Sequence, residues 1–160
     1  MRRPKANTID RTPVIDKIAL KVYEWFDKGE DLESLKGDMK QMLEKCDSSS
    51  DGYELAEYLE RKLGYSSDSQ LVSILDDVPF LINEQVSIEV AEWVKHLDIK
   101  AKYSIDDHVK IHHERKIVDG IIIAVYDNSG EYSVYVESCG HVKEGIGTYG
   151  FIVKFEDIID

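Results

Sequence analysis

Apolar residues in the first hundred positions recur at helical spacing, and from about position 103 the spacing changes to strict alternation. Ile15, Ile18, Ala19, Val22 and Phe26 fall on one helical face, with Thr12 at the expected N-cap, Pro13 at the first helical position and Gly29 as the stop. A second helix is predicted over 32–46, with Leu32, Leu35, Met39, Met42, Leu43 and Cys46 inward. Gly37 weakens it by about 1 kcal/mol relative to alanine. Asp51-x-x-Glu54 reads as a capping box for a third helix that ends at Gly64 and buries Leu55, Tyr58, Leu59 and Leu63. A fourth helix over 68–77, built on Leu71, Ile74 and Leu75, is expected to stop before Pro79. Asn83 is then expected to cap a fifth over 84–97, packed through Val86, Val90, Trp93, Val94 and Leu97.

Tyr103-Ser104-Ile105-Asp106-Asp107-His108-Val109-Lys110-Ile111 opens the alternating part. Val109 and Ile111 point one way, and His108, Lys110 and His112 the other. Asp119-Gly-Ile-Ile-Ile-Ala-Val-Tyr126 reads as a second strand, Asp127-Asn128-Ser129-Gly130 as a tight turn, and 131–137 as a third strand, and alternation gives an expected interior that includes Val109, Ile111, Ile121, Ile123, Val134 and Val136. Gly140, Gly145 and Gly147 mark a loop, and Phe151 to Ile158 reads as a closing strand with a short helical turn. The opening resembles the aromatic-x-x-Gly-Asp-x-Val-x-Ile start of KOW, Tudor and other SH3-like modules, and the glycine-led strand at 119–126 resembles their second strand. Asp106 departs from that pattern, which has glycine there. The resemblance covers about 57 of the 160 residues and implies a small SH3-like β-barrel. Modules of this kind bind RNA, DNA, RNA polymerase, ribosomal protein or peptide, so the resemblance implies a binding role more than a particular ligand. The fold class expected is α+β: a flexible tail at 1–11, a helical domain of about five helices over 12–98, a linker from Asp98 to Lys102, and the barrel over 103–160.

Charge narrows the choice of partner. The net charge is −12, and both parts are acidic, with 13 Lys+Arg against 21 Asp+Glu over 1–99 and 7 against 11 over 100–160. Sequence-independent nucleic-acid binding draws on cations that neutralise phosphates, which this charge opposes. A protein partner is therefore expected. No apolar run approaches the roughly 20 residues of a membrane span, and Met1-Arg2-Arg3-Pro4-Lys5 is not followed by an apolar signal core. Cys46 and Cys139 lie far apart and give no disulfide framework, so the expected compartment is a reducing cytoplasm.

Leu63-Gly64-Tyr65-Ser66 followed by Leu71, Val72 and Ile74 has helix-turn-helix punctuation, but the would-be reading helix displays Asp68, Ser69, Gln70, Ser73, Asp76 and Asp77 with no cation for phosphate or guanine. His108, His112, Cys139 and His141 are ligand types for zinc but have no metal-site spacing, so no metal and no cofactor are expected. Cys139 and His141 lack an argued orienting acid, and no enzymatic activity is expected. Tyr103, Tyr126, Tyr135 and Tyr149 are aromatics that a groove would use, Tyr135 above all because Val134 and Val136 face the other way.

His108, Lys110, His112, His113, Arg115 and Lys116 form the one locally basic stretch outside the N-terminal tail. The binding surface expected is therefore Lys110, His112, Arg115 and Lys116, flanked by Tyr135. The function expected is that of a non-enzymatic accessory or regulatory protein docking on a protein component of nucleic-acid machinery. Two alternatives carry their own signatures: a KOW-type protein that binds DNA or RNA directly, using the 108–116 stretch with Arg2, Arg3 and Lys5, and an acidic inhibitor, immunity protein or nucleic-acid mimic.

Overall fold

A computed structural model describes residues 2–26, 31–45, 50–137 and 150–159. The chain has an α+β layout, with helices followed by a curled four-stranded antiparallel sheet. It divides into two compact units, Met1–Glu89 and Val90–Asp160, and the division falls inside the fifth helix. Among the described residues no helix is long and apolar enough to cross a membrane.

The helices are α1 (Thr12–Trp25), α2 (Leu32–Lys45), α3 (Gly52–Leu63), α4 (Ser69–Leu75) and α5 (Val78–His96). Ile18, Ala19 and Val22 of α1 pack with Leu35, Met39 and Met42 of α2, Leu55 and Leu59 of α3, and Leu71 and Leu75 of α4 in one core. Asp51 caps α3 by accepting from Glu54 N–H at 2.9 Å, and Gly64 closes it in the left-handed region at φ 78°. Asp68 caps α4 through Gln70 and Leu71 N–H. At α1 the cap position belongs to Arg11, and Thr12 is already helical. The carboxylate one residue earlier, Asp10, accepts from Thr12 N–H at 2.9 Å. That bond holds the Asp10 carboxyl below its ordinary range.

Besides Thr12 at the cap, two expectations differ in this unit. Pro79 does not end a helix but sits in the first turn of α5, where a missing N–H costs nothing, so Asn83 lies inside the helix instead of capping it. Val78, Leu81 and Ile82 are buried and carry the helix that far forward. The segment read as a tail at 1–11 also has structure: Ile9 is buried in the helical core, and the Arg11 guanidinium donates to the Leu43 carbonyl. Cys46 and Gly29 lie outside the described residues.

The sheet runs in the order β1 (His108–His113), β2 (Lys116–Tyr126), β3 (Glu131–Tyr135), β4 (Phe151–Lys154), followed by a 3-10 turn at Phe155–Asp157. Its inner face is Val109, Ile111, Ile122, Tyr132, Val134 and Val136. Sequence alternation had placed Ile121 and Ile123 inside, but both are only half-buried and Ile122 is the buried one. Gly120 stands opposite Val109, so the inward set on β2 is 118, 120 and 122. A bulge between Ile122 and Ala124 then shifts the phase and brings Val125 opposite Tyr132. A Cβ at Gly120 would lie 2.5 Å from Val134 Cγ1, which is why a glycine fills an inward position.

Before β1 the turn is kept although glycine is absent. Asp106 adopts φ 72°, its N–H donates to Ile122 C=O at 2.8 Å, and Asp107 C=O accepts from Ile122 N–H at 3.0 Å. Aspartate is among the few side chains that tolerate this region. At the far margin Ile159 bridges Lys110, its N–H donating to the Lys110 carbonyl at 2.9 Å. The rings of His113 and Phe151 lie 4.4 Å apart, so the curl brings the end of β1 to the start of β4.

Candidate functional site

The surface expected from sequence sits on the β1–β2 hairpin. His113 pairs with Lys116, leaving Glu114 and Arg115 as a two-residue turn with φ of 47° and 65°. Positive φ at both central residues is the type I′ arrangement, which matches the twist of a hairpin and usually employs Asn-Gly. Here a carboxylate and a guanidinium occupy it. Both side chains are exposed, as are those of Lys110, His112 and Lys116.

Register sorts these groups. His108, Lys110 and His112 share the outer face of β1 with Ile121, Asp119 and Ile117 opposite them on β2. Lys110 therefore stands across from a carboxylate, and His112 across from the exposed Ile117. Lys116 belongs to the other face, with His113, beyond the edge of the core. The four expected cationic positions thus converge at the tip of the hairpin but do not form one flat face. Tyr135 lies opposite Ile121, hence on the outer face, but is only 7% exposed. It is no open groove ring, and the neighbouring Ser133 is buried too, with the backbone at Gly150 packed so closely that a Cβ there would come 2.3 Å from Ser133 Oγ.

Several cations elsewhere are held in ion pairs. Lys17 meets Glu84 at 2.6 Å, Arg61 meets Glu57 at 2.6 Å, and Lys36 lies between Asp16 and Glu33 at 3.2 and 3.0 Å. The hydrogen bonds to Glu33 and then Asp16 raise the Lys36 pKa above its ordinary value. Among the described residues, Lys110, Arg115 and Lys116 enter no ion pair within 4 Å. Their charged groups are therefore not engaged in ion pairs among those residues, although Asp119 faces Lys110 and Glu114 adjoins Arg115.

Two concavities escaped the sequence. A cleft of about 440 Å³ is lined by His112, Ile152, Glu156, Asp157 and Ile158 among others. Its walls are some forty positions apart in the chain, so no spacing announces it. A second, of about 530 Å³, lies on α3 and α4 and is lined by Tyr53, Glu57, Glu60 and Asp68 among others. No group of three or more metal-ligating side chains occurs among the described residues. Cys139, His141 and Tyr149 lie outside them. No protein-family model, curated protein or solved structure matches the chain.

Proposed function

We propose that the chain is a non-enzymatic accessory protein whose C-terminal unit is an SH3-like module of the KOW or Tudor kind, docking on a protein component of nucleic-acid machinery through the tip of the β1–β2 hairpin. The strand order, the 3-10 turn after β4 and the return of Ile159 to β1 support the SH3-like reading, since together they bring a fifth short segment beside the first strand. One observation carries the functional reading: Arg115 is held out in a strained two-residue turn with Lys116 beside it at the start of β2, both exposed and without ion-pair partners among the described residues. The chain's net charge of −12 favours an acidic patch on a protein over the continuous phosphates of a nucleic acid.

Reversing Lys110, Arg115 and Lys116 to glutamate tests this. The triple variant should keep the wild-type fold and lose capture of its partner from a nuclease-treated extract of the native host. Wild-type capture at low salt, where exposed charges are least screened, would remove the hairpin as the site. A salt-dependent gel shift with RNA or DNA that the same variant abolishes would instead favour direct nucleic-acid binding.

The cavity on α3 and α4 favours a second reading, that of an acidic inhibitor or nucleic-acid mimic. Tyr53 is 65% exposed there, beside Glu57, Glu60 and Asp68. Stoichiometric inhibition of a basic nuclease, lost on replacing Glu60 and Asp68 with lysine, would support it.

A further inference from the structure

Among the described residues the outer edge of β1 is only partly covered. A two-residue hairpin closes on a hydrogen-bonded pair, so His113 and Lys116 exchange main-chain bonds. By alternation Val109, Ile111 and His113 turn their main-chain groups toward β2, and Lys110 and His112 turn theirs to the outside. The bond from Ile159 N–H to the Lys110 carbonyl is the one this pattern requires. In the register that this bridge sets, His112 would next face Asp157. Asp157 belongs to the 3-10 turn, however, and among the described residues no main-chain bond reaches the outer side of His112. Beside that edge opens the cleft of about 440 Å³. Its walls offer Ile152, 59% exposed, with Ile158 on the apolar side, and the Glu156 and Asp157 carboxylates on the polar side.

We propose that this cleft takes a short extended segment of a basic partner protein, added as a strand on β1 at His112. A peptide backbone supplies the donor and acceptor that the His112 carbonyl and N–H lack, which neither a nucleic acid nor a lipid headgroup provides in that spacing. An aliphatic side chain of the segment covers Ile152 and Ile158, and a lysine or arginine meets Asp157. Charge complementarity selects a basic segment, because residues 100–160 hold 11 Asp+Glu against 7 Lys+Arg. This inference does not rest on the hairpin reading: it uses the opposite charge and, at His112, the main chain instead of the side chain.

The test titrates the full-length isotope-labelled protein with the synthetic peptide Lys-Val-Arg-Val-Lys and, separately, with Glu-Val-Glu-Val-Glu and Lys-Val-Pro-Val-Lys. The basic peptide should shift the amides of His112, Asp157 and Ile159 saturably and slow exchange of the His112 amide. The acidic peptide should not, and the proline peptide, which lacks both the central N–H and the central cation, should bind at least tenfold more weakly. Replacing the exposed Asp157 with lysine should also weaken binding at least tenfold, and Lys62→Glu, exposed on α3, should leave it unchanged. The proposal is overturned if no peptide shifts these amides, if the basic and proline peptides bind alike, or if the shifts centre away from His112. It is equally overturned if the His112 amide is already protected in a concentration-dependent way without peptide, since a second copy would then own the edge.

Discussion

The two ends of the sheet are built on opposite terms. At one end the β2–β3 turn finishes on Gly130 at φ 63°, its carbonyl accepts from Phe155 N–H at 2.9 Å, and Tyr132 next to it is fully buried. The Tyr132 hydroxyl accepts from Lys102 and Tyr103 N–H at 2.9 and 3.1 Å, tying the segment after α5 to the sheet. At the other end Glu114 and Arg115 take up positive φ without a glycine between them, and both are exposed. One end spends its left-handed position on the residue that tolerates it best and surrounds it with bonds. The other holds charged side chains where glycine would be more stable, a pattern that belongs to presentation more than to stability.

The largest effect should come from cutting the bonds of the tied end. Tyr132→Phe keeps the ring packed against Phe155, whose centroid lies 4.3 Å away, and removes the acceptor from two part-buried N–H groups. The expected loss is about 2 kcal/mol, seen as a lower urea midpoint at unchanged slope. An unaltered midpoint would mean that water satisfies those groups and that the two ends differ less than their geometry suggests. Next in size, Gly130→Ala places a Cβ in the left-handed region and should cost about 1–2 kcal/mol by the same measurement.

The asymmetry also decides how much could be read from the chain. The helices of the first unit were legible because each buried face repeats over several turns and is bounded by its own punctuation, as with Asp51 and Gly64 around α3. Pro79 misled because proline marks the start of a helix as well as the end of one. In the sheet, alternation taken through the run Ile121-Ile122-Ile123 fits either phase, so the run itself does not set which isoleucine faces inward; a glycine opposite Val109 and a bulge set it instead. The hairpin cations were legible as residues and not as a surface. Glu114-Arg115 has no turn signature, and only a two-residue turn puts Lys116 on the face away from Lys110 and His112. The burial of Tyr135 was out of reach for a related reason, because it depends on what covers the outer face and not on strand phase.

A third experiment runs the comparison in reverse. Replacing Glu114-Arg115 with Asn-Gly gives the exposed turn the residues that its backbone prefers and should stabilise the sheet by about 1 kcal/mol. The same variant should lose partner capture to the extent that Arg115 supplies it. Higher stability with undiminished capture would leave the strained turn without a functional reason and shift attention to Lys116 and His112.

The smallest expected change tests whether Asp106 belongs with the tied end or with the strained one. Its φ of 72° is as unusual as that of Arg115, yet its N–H bonds Ile122 C=O at 2.8 Å, and the Asp107 carboxylate accepts from Ser104 N–H at 2.7 Å across the same turn. Glycine at 106 relieves the left-handed backbone but frees the unfolded chain, and aspartate already tolerates the region, so the two effects nearly offset. Asp106→Gly should therefore move stability by no more than about 0.5 kcal/mol, whereas Asp106→Ala, which has neither freedom, should lose about 1 kcal/mol. If alanine is harmless, the turn does not need its left-handed residue, and β1 enters the sheet by a path set elsewhere. If glycine instead gains as much as Asn-Gly does at the hairpin tip, then Asp106 is strained like Arg115, and its exposed carboxylate needs the same functional explanation.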